Sequence, residues 1–369
     1  MISAKMIKYF LHISILTLII LIVSCDDMHD KQRTGNEMPV TEGTRIFVLS
    51  EGLINLNNSS LAMYDFSIGA KSSDYFLTAN KRGLGDTAND MGLYGSKLYV
   101  VVNVSSQIEV LDAGTGLSLK QIPLFNGQGM ARQPRYIDFH GGKAYVCSFD
   151  GTLAKIDTTT LQVEKLVNCG RNPDGICITN GKIYVSNSGG LNFPNYDNTV
   201  SVIDITSFQE IKKTIVGINP YKIASDSEGD VYVVTRGNYG NTAFQFHRIS
   251  SETDEVVQDF DDFHLLNFTI QNDTAYMYHY DYNTGQNQIM TFDCKTETLT
   301  TDRFIADGTI LTTPFGIDVN PINGDVYITD AKSYLTWGDV LCFNRKGQLK
   351  FRIKEVGLNP NKVVAVRSY

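Results

Sequence analysis

Clustered basic residues, paired cysteines and catalytic signatures are what this 369-residue sequence lacks. Lys and Arg total 32 against 40 Asp and Glu, a net charge of −8, and they form no run. Nucleic acid is thereby excluded as an expected partner, because phosphate contacts need grouped cations. No HExxH helix, GxSxG elbow or phosphate-binding glycine loop occurs. His140, His247, His264 and His279 fall at unrelated points of the repeat described below, so structural or solvent-facing roles are expected of them and no catalytic group. Of six cysteines none forms a CxxC pair, and Cys25 belongs to the N-terminal segment considered next. The remaining five, Cys147, Cys169, Cys177, Cys294 and Cys342, argue against a zinc site or a disulfide framework, with a Cys169–Cys177 bridge left open. Asp197-Asn198 and Asp325 offer oxygen ligands for calcium and are equally ordinary turn formers.

The N-terminus carries Lys5 and Lys8, an apolar stretch over residues 9–23, and then Ser24-Cys25. This order is that of a secretory signal. The apolar part, 15 residues from 9 to 23, falls short of the ~20 that a membrane-crossing helix needs. A cysteine directly after the small residue resembles the lipobox of bacterial lipoproteins, in which the Cys25 thiol is acylated and becomes the first mature residue; a plain signal peptide is the alternative. Loss of residues 1–24 removes two lysines and no acids, leaving 30 cations, 40 anions and a net charge of −10. Residues 25–43 are polar, cannot bury enough surface to fold, and read as a flexible tether. Asp26, Asp27 and Asp30 resemble the acidic export signal of lipoproteins displayed on the outer face of the outer membrane of some gut anaerobes, with a periplasm-facing position as the alternative; in enteric bacteria an aspartate after the cysteine suggests retention at the inner membrane.

From residue 44 onward an apolar-aromatic-apolar triplet recurs seven times, centred on Phe47, Tyr99, Tyr145, Tyr184, Tyr232, Tyr276 and Tyr327. The spacings are 52, 46, 39, 48, 44 and 51 residues. A period of ~40–50 built from short strands predicts a β-propeller, one four-stranded blade per unit. Turn formers such as Gly141-Gly142, Asn180-Gly181 and Asn323-Gly324 precede the triplets, and a third strand closes on Asp65, Asp112, Asp157, Asp204 or Asp293. Pro134, Pro173, Pro220, Pro314 and Pro360 mark entry to an innermost strand. The chain ends after such an inner strand, while the first unit begins at its triplet without one. The predicted fold is therefore all-β: a seven-bladed propeller over 44–369, closed by the C-terminal strand completing the N-terminal blade.

The connections from second to third strand are long and aromatic, and they share a face with the crossovers between blades. Long loops gathered on one face of a rigid scaffold carry function. The mouth of the ring is thus the candidate ligand site, with Asn103, Arg135, Tyr196, Tyr221, Arg236, Tyr239, Tyr280, Tyr282, Phe315, Tyr334 and Trp337 as candidate ligand-binding residues. Rings with amides and guanidinium groups suit a large amphipathic molecule.

Ser50-Glu51-Gly52, Leu84-Gly85-Asp86 with Ala88 and Met91, Val101-Val102-Asn103, Pro134-Arg135-Tyr136-Ile137 and Asn320-Pro321-Ile322-Asn323-Gly324-Asp325-Val326-Tyr327 give the sequence a further character. With them, residues 44–369 resemble the YncE-like, surface-layer-type propeller lipoproteins of gut bacteria. The resemblance implies a binding protein, not an enzyme, with no required cofactor, anchored by lipid at the outer-membrane surface. It also implies a vitamin B12 or related corrinoid ligand passed to a TonB-dependent transporter. A protein- or glycan-binding propeller and a lactonase-like hydrolase are the alternatives; the latter requires carboxylates and a histidine converging on the central channel.

Overall fold

A computed structural model describes residues 44–367. The proposed signal peptide, the tether and Cys25 lie outside the described residues. Blade 1 contains β1 (Thr44–Ser50), β2 (Ser60–Asp65) and β3 (Ala70–Ser72). Blade 2 is β4 (Ala88–Tyr94), β5 (Lys97–Val102), β6 (Gln107–Asp112) and β7 (Ser118–Pro123). Blade 3 is β8 (Pro134–His140), β9 (Lys143–Ser148), β10 (Thr152–Asp157) and β11 (Val163–Asn168). Blade 4 is β12 (Pro173–Thr179), β13 (Lys182–Asn187), β14 (Thr199–Asp204) and β15 (Gln209–Ile215). Blade 5 is β16 (Pro220–Ser225), β17 (Val231–Thr235), β18 (Gln245–Ser250) and β19 (Glu255–Phe260). Blade 6 is β20 (Asn267–Gln271), β21 (Thr274–Tyr280), β22 (Asn287–Asp293) and β23 (Thr298–Thr301). Blade 7 is β24 (Pro314–Val319), β25 (Val326–Asp330), β26 (Trp337–Phe343) and β27 (Leu349–Leu358).

The last strand, β28 (Pro360–Arg367), does not start an eighth blade. It pairs antiparallel with β1, from Thr44 opposite Arg367 to Ser50 opposite Pro360, and so becomes the inner strand of blade 1. Its flanks meet β24 on one side and β4 on the other, which closes the ring. Every triplet predicted from the repeat lies on the second strand of its blade, buried from both faces by neighbouring blades: Tyr99, Tyr184 and Tyr232 are fully covered. Seven apolar clusters fill the ring, most of them drawing on strands of two adjacent blades. Each cluster excludes water on its own, and a ring of them lets one domain exceed the size at which a single core stops growing.

The punctuation has a visible cause. Asp65, Asp112, Asp157, Asp204 and Asp293 each close a third strand, and their carboxylates accept backbone N–H bonds from two or three residues further on, at 2.6–3.0 Å. An acceptor that folds back on the chain ends a strand in a tight turn. One element departs from the all-β reading: α1 (Tyr75–Asn80), in the crossover from blade 1 to blade 2. Asp74 caps it by accepting from the Leu77 N–H at 3.1 Å. Fewer than two turns leave no helical periodicity in the sequence.

Candidate functional site

Two repeated backbone devices build the mouth. The first is a residue with left-handed backbone just before an inner strand: Thr87, Gln133, Asn172, Asn219 and Asn359 have φ between +48° and +61°. The carbonyl of that residue accepts the backbone N–H of the residue following the second strand, at 2.8–3.1 Å. Glu51, Asn103, Phe149, Ser188, Arg236 and, through the Thr313 carbonyl, Ala331 are pinned in this one slot, each in its own blade. The second device is a bulge. Immediately after the first residue of the inner strand the register slips, leaving Asn89, Arg135, Asp174, Tyr221, Phe315 and Asn361 opposite no partner. A bulge re-aims a side chain that a regular ladder would place on a blade face. Except for Asp174, these bulged residues line a cavity of about 260 Å3 at the mouth of the channel, together with Glu51 and Arg236 from the other slot.

Close packing of the inner strands is what makes the two glycines Gly175 and Gly316 necessary. A Cβ on Gly175 would meet the Tyr221 carbonyl oxygen of the next blade, and one on Gly316 the Asn361 carbonyl oxygen.

Charge in the cavity is arranged in two layers. At the mouth, Arg135 Nε donates to Asp174 Oδ1 at 2.6 Å, and its guanidinium lies 4.5 Å from the centre of the Phe149 ring. Arg236 stacks 3.3 Å from the centre of the Tyr221 ring, and the Tyr221 hydroxyl is 2.6 Å from that of Tyr136. Asn89 donates to Glu51 Oε1 at 2.8 Å. Burial pushes the Glu51 carboxyl above its usual range, against the pull of Arg135 and that Asn89 bond. Deeper in the channel, Lys362 Nζ donates to Asp318 Oδ1 at 2.7 Å, and Asp318 Oδ2 accepts the Val363 N–H at 2.8 Å. Lys222 lies 4.7 Å from the Tyr136 ring centre, with burial and then Lys362 holding its ammonium below the usual range. Burial raises the Asp90 carboxyl and lifts Asp138 to about 6. The site thus offers fixed guanidinium donors, stacked phenols and carboxylates that are costly to ionise.

Five of the residues expected at the mouth line this cavity: Arg135, Tyr221, Arg236, Tyr282 and Phe315. Five others surround it. Tyr196 packs edge-on to Phe193 and Tyr239, Tyr280 against Tyr282, and Tyr334 against Phe315; Trp337 is half exposed at the start of β26. Asn103 is buried, and its amide donates to the Pro134 carbonyl at 3.1 Å, so it ties blade 2 to blade 3 and does not face the cavity. Glu51, Asn89, Asp90, Tyr136, Lys222 and Lys362 line it without having been singled out from the sequence. Around the mouth Ile54, Leu56, Leu191, Phe193, Tyr239, Tyr282, Leu335 and Trp337 are exposed, whereas the turns of the opposite face expose only Ile68, Leu117 and Ile322 among the large apolar side chains described.

No histidine lines the cavity. His247 is buried in blade 5, its Nδ1 2.6 Å from Asp259 and its Nε2 accepting the Gly217 N–H at 3.2 Å, so both ring nitrogens are occupied. His264 and His279 bond to backbone carbonyls, and His140 is exposed at the end of β8. Asp197 is engaged by Arg171, Asn198 and Thr199, and Asp325 by Asn323 and Lys350. Among the described residues no group of three or more His, Cys, Asp or Glu is placed to hold a metal. Cys147, Cys169, Cys177, Cys294 and Cys342 are all thiols. None of the described helices is long and apolar enough to cross a membrane.

Solved structures with this architecture share little sequence with the chain. A quinonprotein alcohol dehydrogenase-like protein from Bacteroides thetaiotaomicron superposes with a TM-score of 0.63 at 15% identity, covering 89% of this chain and 79% of that one. Hydrazine synthase from Kuenenia stuttgartiensis gives 0.57 at 16% identity over 74% of this chain and 92% of its own. The dihydro-heme d1 dehydrogenase NirN, in complex with DHE, gives 0.55 at 11% identity over 86% and 68%. At such identities the likeness is one of fold alone. No curated protein matches the sequence. One family model does, over residues 44–355, from β1 to the last strand of blade 7, and on that match the chain belongs to the family described as "Domain of unknown function (DUF5074)".

Proposed function

We propose that the protein is a ligand-capture module that holds an amphipathic small molecule at the mouth of its propeller. The observation that carries this reading is the pairing, on the same face, of a polar cavity with an exposed aromatic and aliphatic rim. At about 260 Å3 the cavity is smaller than the ~300–1,000 Å3 that encloses a drug-sized ligand. Such a site takes one polar group of a larger molecule, while the flat body rests on Tyr239, Tyr282 and Trp337. A corrinoid, with a broad macrocycle and a polar periphery, meets both demands, and a lipid-anchored protein at the outer-membrane surface would pass it to a TonB-dependent transporter. Binding, not catalysis, is the proposed role.

Titration calorimetry of the purified protein with cyanocobalamin tests the ligand. Saturable heat with a shift in the visible spectrum is expected, weakened by Tyr239→Ala or Trp337→Ala; no heat and no shift at micromolar ligand would remove the corrinoid. The rim supports a second reading, because Ile54, Leu56, Leu191 and Leu335 extend the apolar surface beyond the aromatic residues just named. A protein partner seated on this face would be recovered by pull-down with the intact chain and lost with Leu191→Asp and Leu335→Asp together.

A further inference from the structure

Arginine is scarce in this acidic chain, and seven of the eleven described arginines are neutralised locally. Arg45, Arg82, Arg132, Arg135, Arg171, Arg248 and Arg352 each lie within 4.0 Å of a carboxylate. Among the described residues Arg236, Arg303, Arg345 and Arg367 have no such partner; the last three are exposed, whereas Arg236 is half-buried. It is instead fixed flat against Tyr221 in the wall of the cavity, its backbone pinned by the 2.9 Å bond to the Asn219 carbonyl. Its Nε is closed off with no acceptor, and its terminal nitrogens bond to no described residue. Arg135, in the bulge of blade 3, repeats the arrangement: it is held by Asp174 through Nε and by the face of Phe149, with its two terminal nitrogens bonded to no described residue. A planar guanidinium immobilised on an aromatic face presents its N–H edge without further loss of rotamer freedom, and this edge matches two oxygens of a carboxylate or phosphate.

We propose that the cavity receives an anionic oxygen group of the ligand, a carboxylate or a phosphate, held by Arg236 and assisted by Arg135. The mouth can accommodate that charge because its own carboxylates are committed: Asp174 to Arg135, and Glu51 to Asn89. The proposal rests on the reading of the mouth as a ligand site but not on the identity of the ligand.

The test uses the 15N-labelled intact protein titrated with inorganic phosphate, and separately with acetate, at constant ionic strength against chloride. The Arg236 Nε–H resonance, assigned from its absence in Arg236→Lys, is expected to shift saturably with at least one of the two anions. The arm that responds names the group. Arg236→Lys and Arg236→Gln, each checked for an unchanged thermal melt, are expected to weaken the response of other mouth resonances about tenfold or more, whereas Arg303→Lys leaves it intact. Absence of a saturable shift with either anion, or a response undiminished in both Arg236 variants, overturns the proposal. Anion binding without cyanocobalamin binding sinks the corrinoid alone; cyanocobalamin binding undiminished in Arg236→Gln, with no anion response, sinks the anion site alone.

Discussion

A chain ending at Leu358 lacks β28, and its loss should unfold the whole propeller. Val363, Ala365 and Val366 of that strand are buried between blades 1, 2 and 7. Two fully buried valines contribute about 3–6 kcal/mol. Removing Lys362 and the Val363 N–H also strands the Asp318 carboxylate, which loses both of its partners in the channel; breaking a buried pair costs about 3–5 kcal/mol. The combined loss, about 6–11 kcal/mol before the seven-residue ladder with β1 is counted, matches the ~5–15 kcal/mol that holds a domain folded. The truncated chain is expected to show no cooperative thermal transition by far- and near-ultraviolet circular dichroism, while the intact chain shows one. A single transition within a few degrees of the intact protein would refute ring closure as the source of stability.

Three further outcomes follow from the channel. Lys362→Met alone should cost about 3–5 kcal/mol, because it leaves Asp318 charged and unpaired, and Lys362→Met with Asp318→Leu should recover much of that loss in a urea-denaturation cycle; additive losses would show that the pair is not coupled. Asp138 has its carboxyl raised from 3.8 to about 6, so the folded protein keeps a proton that the unfolded chain releases between those values. Stability from this group therefore falls as pH rises through that window, by up to about 3 kcal/mol, and Asp138→Asn should stabilise little at pH 4 and most above pH 6; an equal gain at both ends would contradict the assignment. Gly316→Ala should destabilise by about 1–3 kcal/mol, since the new methyl meets the Asn361 carbonyl across the closure between β24 and β28; an unchanged urea midpoint would contradict that close approach.

The ring was legible because its signals are local and repeated. A triplet such as Leu98-Tyr99-Val100 must be apolar on both faces wherever blades cover it, and Asp112 must end its strand wherever its carboxylate turns back on the Thr115 N–H. The mouth was legible only in half. Arg135, Tyr221 and Phe315 were among the candidates, whereas Asn89, Asp174 and Asn361, which occupy the same bulge, were not. Arg236 and Asn103 were selected, whereas Glu51, pinned in the same slot of blade 1, was not. Aligning the five units that carry an inner-strand proline, at Pro134, Pro173, Pro220, Pro314 and Pro360, would have found most of both rings. What alignment would not give is direction: Asn103 shares its backbone slot with Arg236, but its short amide finds the Pro134 carbonyl and turns into the wall. Whether a slot residue reaches the channel depends on side-chain length and on the nearest unpaired carbonyl, and these are known only once neighbouring blades are in place.

The same slots explain how the scaffold separates holding itself together from holding a ligand. Bulged and pinned residues emerge at the end of each blade where β28 begins at Pro360 and β1 ends at Ser50. Thr44 and Arg367, the first and last described residues, pair with each other at the opposite end, among the short turns. Neither described end of the chain lies at the mouth. Substitutions at Asn89, Arg135, Tyr221 or Phe315 then change the cavity lining without touching the β1–β28 ladder, and substitutions in that ladder change closure without altering Arg236 or Tyr221. Arg236→Gln and the truncation at Leu358 should therefore fail in different ways: the first keeps its melt and loses a ligand response, while the second loses its melt altogether.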